Sequence, residues 1–436
     1  MTDFDSNEPA RTPSGGRPPY PVDGGQKRTA GMGFIMITVL IDMLSIGVIV
    51  PVLPALVGSF TANPAEQTYW YTAISAAFAI ASFFGSPLLG ALSDRYGRRP
   101  ILLLGFCGLA LNFFATALAT SAWMLVASRI VGGAMQANAA VANAYVADIT
   151  PPEDRAKRFG MLGAMFGIGF ILGPVIGGIL GGISLKLPFL FSGVLALLNL
   201  VYGYFVLPES LPVERRRPVQ WARANPFTAL YELSRLKGAG WLLGVIACAN
   251  LAQFSLYTTW VLYTTFRFGW TPAQNGWSLF AVGIVAAVVQ GGLLGRLLKR
   301  FGASRLTVIG LVSSTTAFTL WGLATQGWMM YPVIFANLLG SAVAASVQSL
   351  ISSSVDGTQQ GQTMGAVSAL GSLMAVFAPL MAGPLFAVVS HLPPHDWRIG
   401  APMFFCALLQ GLALVCAVLH FRRTRSTGLP AEVASA

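Results

Sequence analysis

GALSDRYGRRP, Gly90 to Pro100, is a charged loop between two long apolar runs, and a degenerate copy, GRLLKRFGASR (Gly295 to Arg305), returns 205 residues later. Between membrane-crossing helices, a loop that recurs in this way marks an internally duplicated chain. The same shift aligns ATSAWML (Ala119 to Leu125) with ATQGWMM (Ala324 to Met330). It also places Gly97 on Gly302, Gly160 on Gly365 and Pro174 on Pro379.

Composition agrees with a membrane reading. The chain has 436 residues, 55% of them hydrophobic and 10% charged, and its mean hydropathy is +0.66. A soluble domain carries about 25% charged residues. Apolar runs long enough to span a bilayer recur, and nothing alternates with the two-residue period of a barrel strand. Twelve spans are expected, near 31–57, 70–91, 100–120, 123–149, 158–182, 188–207, 240–264, 275–298, 305–325, 329–353, 362–390 and 399–421. Six fall in each half, so the repeats insert with the same orientation. The expected fold is an all-α membrane protein of two parallel six-helix bundles, residues 31–207 and 240–421, with the substrate site between them.

The formal net charge of +11 does not imply nucleic acid. With the N-terminus inside, the basic residues fall in the tails and even-numbered loops, except Lys186, Arg267, Arg398 and Arg129. This positive-inside bias places both termini in the cytoplasm. Residues 1–30 and 422–436 read as cytoplasmic tails, the first disordered because it is rich in Pro, Gly and charge. The segment 208–239 reads as a cytoplasmic linker, a tether whose stretch NPFTALYELSRL (Asn225 to Leu236) could form a short surface helix. The cysteines all lie within spans and lack metal-ligand spacing. No metal site and no cofactor is expected, and nothing resembles a nucleotide-binding motif. Transport is therefore driven by a gradient or runs downhill. No nucleophile–base pair supports an enzyme.

Four groups of residues carry the chemistry. In the loop, Gly90 and Gly97 permit close approach and a tight turn. Asp94 suits a helix N-terminus or an arginine. Arg95, Arg98 and Arg99 face the cytoplasm, and Asp148 is the natural partner. Together they form a candidate cytoplasmic gate, and they equally serve as a topology signal. The second copy has Lys299 in place of an acid, so a symmetric gate is not expected.

The fifth span, GMLGAMFGIGFILGPVIGGILGG, carries Gly169, Gly173, Pro174, Gly177 and Gly178, a face on which another helix can pack backbone to backbone. Asp42 is the acid deep within a span, where a charge costs about 2.5 kcal/mol or more, and is a functional residue by default. At ~1.5 Å per residue it lies roughly 10 Å below the outer face, and Arg129 about 9 Å below it. Equal depth makes Arg129 the expected partner, with burial and Arg129 pulling on the Asp42 proton in opposite senses. A static ion pair is the competing account. Arg129, Gln136 and Asn143 recur every seven residues on the fourth span, and Asn250, Gln253, Tyr257 and Trp260 follow helical spacing on the seventh. These stripes are costly toward lipid, so they are expected to line a cavity for a flat, largely apolar ligand, neutral or singly charged.

Across about residues 30–425 the chain closely resembles the twelve-span drug:proton antiporters of the major facilitator superfamily. GALSDRYGRRP resembles their cytoplasmic signature loop, RIVGG (Arg129 to Gly133) their span-4 basic motif, and LGPVIGG their span-5 antiporter motif. DMLSIGVIVPVLP, ADITPPEDRAKRFGMLGAMFGIGFILGPVIGG and FRFGWTPAQNGWSL resemble the tetracycline-exporter branch. The resemblance implies a proton-coupled exporter in a bacterial inner membrane, with protons and a small molecule as partners and no obligate protein partner. It implies coupling through Asp42, tuned by Arg129. Tetracycline exporters typically carry acids in spans 3 and 9 and a histidine in span 8. Here those positions align with Asn112, Ser314 and Ala286, none of which carries a proton, so Asn112 joins the substrate-binding candidates and tetracycline is expected to be a poor substrate. Uptake or export of a metabolite is the alternative transport reading. A non-transporting scaffold or receptor is the alternative of another class.

Overall fold

The computed structural model describes residues 25–136, 138–219, 225, 227–228, 240–353 and 360–426. Among the described residues every regular element is helical. The first half contains α1 (Gly25–Ile49), α2 (Leu53–Gly58), α3 (Pro64–Tyr96), α4 (Arg98–Ala117), α5 (Ala122–Ala134), α6 (Asn138–Ile149), α7 (Arg155–Ile183) and α8 (Leu187–Val206). The second contains α9 (Gly240–Phe268), α10 (Pro272–Val288), α11 (Leu294–Leu323), α12 (Met330–Ala336), α13 (Val343–Ser353), α14 (Gln360–Val389) and α15 (Ala401–Ser426).

Among the described residues, ten segments are long and apolar enough to cross a membrane. The difference from twelve has two causes. The fourth expected span is interrupted between Ala134 and Asn138, which leaves two pieces too short to qualify alone. The eighth and ninth run on through the second signature loop, where Gly302 turns the chain at φ +71 inside α11. Gly97 makes the same turn in the first copy, at φ +106. A side chain at either position would be strained, so glycine is what lets each loop be so short.

Local chemistry sets the helix starts. Asn63 caps α3, its Oδ1 accepting from the Glu66 amide at 2.8 Å, and Pro64 supplies the first helical φ. Thr271 and Gln274 form a capping box on α10, again with proline at the first position. The tenth span is interrupted like the fourth: a 3-10 stretch, Asn337–Ala342, separates α12 from α13.

In the first half α1 packs against α6, α7 and α8, and in the second α9 packs against α14 and α15. The halves meet through α3 against α14 and α7 against α10. Thr72 beside Gly383 and Pro272 beside Gly178 put these contacts near the helix ends remote from the termini. On that same side, Arg398 donates to the Asp396 carboxylate, with Nη2 to Oδ2 at 2.6 Å, and holds it below the usual carboxylate range.

Most of the expected 1–30 tail, the last ten residues and much of the 208–239 linker lie outside the described residues. So does the expected surface helix, apart from Asn225, Phe227 and Thr228. Phe227 rests against Phe83 and Phe84 of α3, with ring centroids 5.8 and 6.1 Å away.

Candidate functional site

Asp42 sits in α1 and is 4% exposed. Its partner is Asn138, whose Nδ2 donates to Asp42 Oδ1 at 3.1 Å. Asn138 is the first residue of α6, just after the interruption, so the break aims its side chain at α1. Gly105 of α4 makes the room: a Cβ there would lie 1.9 Å from Asn138 Oδ1. Asn138 was not singled out from sequence, although an amide opening a helix after a broken span is a readable signal.

Arg129 is 8% exposed and lies over the Phe78 ring, 5.9 Å from its centroid. Its Nε and Nη2 have no hydrogen-bond partner among the described residues. The ion pair expected from equal depth is not among the ion pairs of the described residues. Depth fixes height along a helix and leaves its direction around the axis open, and these two side chains point to different neighbours. Asn112 is likewise buried, and its amide has no partner among the described residues.

Residues of the second half line a cavity of about 240 Å³. The four residues expected on the seventh span, Asn250, Gln253, Tyr257 and Trp260, all line it. Trp260 Nε1 donates to Ser278 Oγ at 3.0 Å, and its ring meets Trp321 edge to face at 5.0 Å. Gln290, Asn337, Gln410, Phe318 and Trp321 also line it and were missed. Gln290 lies in a π turn, Val289–Leu293, at the end of α10. An isolated amide in an apolar run is costly in lipid, and that signal was present at Gln410. Asn112, Gln136 and Asn143 do not line this cavity. Asn143 Nδ2 donates to Ala139 O of its own helix at 2.9 Å, and the break after Ala134 ends the seven-residue register that grouped it with Arg129.

At the termini side the signature loop forms a network. Arg98 is the hub: it contacts Asp94 at 2.6 Å and Asp148 at 3.1 Å, and it donates to Ser93 Oγ at 2.6 Å. The start of the linker joins in. Glu209 accepts from the Arg98 and Arg99 amides at 2.8 and 3.3 Å, supplying an anion at the N-terminus of α4. Ser210 donates to Asp148, and the Arg217 amide donates to Asp94 O at 3.1 Å. Arg99 also donates to Tyr204 O at 2.6 Å, and Arg95 lies over Tyr96. Around Gly90 a Cβ would meet open space. These groups all belong to the first half and its strap. In this conformation the network ties α3, α4, α6 and residues 207–217 together and, among the described residues, does not bridge the halves.

The glycines of α7 divide between two neighbours. Gly169, Gly173 and Gly177 face α1, and a Cβ on Gly177 would lie 1.9 Å from Val48 O. Gly178 faces α10, where a Cβ on it would lie 2.6 Å from Pro272 O, and the Pro174 carbonyl faces Gly276. The helix that carries the antiporter-like motif is thus packed at backbone range against both the Asp42 helix and the opposite half.

The sequence profile of the Major Facilitator Superfamily matches residues 35–379 and 257–433. The chain is 36% identical over 375 residues to the Tetracycline resistance protein, class C, of Escherichia coli, covering 86% of this chain and 94% of that one. It is 30% identical to Multidrug resistance protein 2 of Bacillus subtilis (strain 168), covering 82% of this chain and 89% of the relative. A solved bacterial homologue of the human lysosomal transporter Spinster, in an inward-facing and unoccupied conformation, superposes with a TM-score of 0.73 at 15% identity, covering 92% of this chain and 98% of that one.

Proposed function

The chain belongs to the major facilitator superfamily, and from that premise we propose that it is a proton-coupled exporter of amphipathic small molecules, related to the tetracycline and multidrug efflux proteins. The observation that carries the coupling is Asp42, a carboxyl group enclosed within the first half and held by one neutral amide. A carboxylate buried in a bilayer without a cation beside it is costly when ionised. It therefore responds to whichever side of the membrane it can reach, taking a proton from one and releasing it to the other. Arg129, with two nitrogens unmatched among the described residues, tunes that exchange.

In this reading the twelve crossings place both termini in the cytoplasm of a bacterial inner membrane, and the chain works alone. The halves meet at the outer side, so the cavity in the second half loads from the cytoplasm. Rocking about the α7 contacts exposes it outside. The signature-loop network, including Glu209, stiffens the first half, and Asp94 reaches the second half when the cytoplasmic side closes.

The test is flux in proteoliposomes under an imposed pH gradient, with a fluorescent amphipathic dye as substrate. Asp42→Asn is expected to lower pH-driven flux at least a hundredfold (on the order of 2.7 kcal/mol) while the melting temperature stays within a few degrees. Unchanged dye-driven proton release in the variant removes Asp42 from the mechanism. Expression of the gene in a pump-deficient bacterium is expected to give little or no protection against tetracycline, because Asn112, Ser314 and Ala286 offer no ionisable group. Strong protection that Asp42→Asn abolishes would show that this chain meets the chelated drug with a different site.

A further inference from the structure

Among the described residues, the cavity in the second half has no charged side chain on its wall. A charged ligand entering it would give up hydration without gaining a counter-charge. Of the aromatic residues on the wall, the two tryptophans are closed to hydrogen bonding. Trp260 Nε1 is taken by Ser278, and Trp321 Nε1 donates to Met330 O at 3.2 Å. Phe318 stacks on Trp321 with centroids 5.4 Å apart and planes 24° apart. These rings offer a rigid apolar slab.

Gln410 differs. It lies on α15, which packs against α9 and α11. It lines the cavity and is 4% exposed. Its Oε1 is buried with no hydrogen-bond partner among the described residues. Buried carbonyl oxygens almost always have a partner, so an unmatched one beside a cavity calls for a donor from within it. Asn337 on the same wall is already occupied on its oxygen, which accepts from Ser313 and Ser314, each at 3.3 Å. Gln410 thus brings an unmatched amide oxygen to a wall that also holds this apolar slab and, among the described residues, no charged side chain.

We propose that this cavity binds neutral, flat aromatic compounds bearing an O–H or N–H group, and that Gln410 accepts that hydrogen and so selects them. The proposal rests on the transport reading for its consequence, and its test is equilibrium binding, which does not depend on flux. Four probes of one shape separate the cases: 2-naphthol, 2-methoxynaphthalene, 2-naphthoate and 2-naphthyltrimethylammonium. Each is titrated by calorimetry into the purified full-length protein in detergent.

Naphthol is expected to bind at least tenfold more tightly than the anion or the cation. In Gln410→Leu the preference for naphthol over its methyl ether is expected to fall about tenfold, the worth of one buried hydrogen bond. Gln410→Glu keeps the shape, adds a charge, and is expected to gain affinity for the trimethylammonium probe. Both variants are checked for an unchanged melting temperature. Charged probes binding the parent as tightly as naphthol would overturn the proposal, as would an unchanged preference in Gln410→Leu or no binding of either neutral probe. Binding as expected without pH-driven flux would leave the site standing and remove the transport reading instead.

Discussion

The two halves of this chain share a backbone plan and differ in what they put on it. Gly97 and Gly302 make the same left-handed turn. Gly105 and Gly310 sit at the same close approach, where a Cβ would meet Asn138 in one half and Val343 in the other. The polar groups do not repeat. Asp42, Arg129 and Asn138 correspond to Ala247, Ile334 and Val343, and Asp94 and Asp148 to Lys299 and Ser353. The half that carries the buried acid is thus distinct from the half that carries the uncharged cavity. Positions fixed by steric need recur, because both copies must make the same turn and the same helix contact. Positions fixed by chemistry are free to part, and in the proposed mechanism the division lets proton and ligand be handled without sharing a side chain.

The comparison can be broken first at its shared turns. Gly97→Ala and Gly302→Ala both force a side chain into the left-handed region, at about 1–3 kcal/mol each. Gly97→Ala is expected to be the worse, because its Cβ would also fall 2.3 Å from Glu209 Oε2 and displace that carboxylate from the start of α4. Reversible unfolding in mixed micelles measures both, and equal losses would mean that the Glu209 contact contributes nothing.

A subtler change makes the first half resemble the second. Asn138→Val removes the donor to Asp42 at the cost of one hydrogen bond, about 1 kcal/mol. The expected result is roughly fivefold weaker uphill accumulation under a pH gradient, with downhill exchange of substrate retained. Equal loss of both would mark Asn138 as a packing residue only.

The smallest effect is expected at Asp94, whose side chain is half exposed. Asp94→Asn weakens a contact worth about 0.3–1 kcal/mol at a helix terminus and shifts the equilibrium toward cytoplasmic opening. Labelling of cysteines introduced at the cytoplasmic mouth reads this as a rise of a few-fold at most, and identical labelling in parent and variant counts against the gate.

Much of this arrangement was legible in the chain. The repeat, the positive loops and the seventh-span stripe depend on spacing, and spacing survives folding: all four residues of that stripe reached the cavity wall. The Asp94–Arg98–Asp148 cluster was legible because loop charges have few other partners. The Asp42 partner was not. Residue counting gives depth in the bilayer, and the choice between Arg129 and Asn138 depends on rotation about the helix axis and on a break between Ala134 and Asn138. Glu209 was missed for a different reason. It lies in the linker, where composition suggested only a tether, and its folding back onto α4 is a tertiary event.

The glycine flank of α7 has a mechanical consequence. Interlocked side chains must climb over one another when helices slide, and each rotamer change adds friction. Where main chain touches main chain, as at Gly177 against Val48, there are no rotamers to unlock. The surface behaves as a bearing. Motion of the opposite half against α7 can pass to the Asp42 helix with little lost to side-chain rearrangement. A single methyl group at Gly178, which faces Pro272 of α10, would act as a shim, setting the resting angle between the halves without touching either the acid or the cavity.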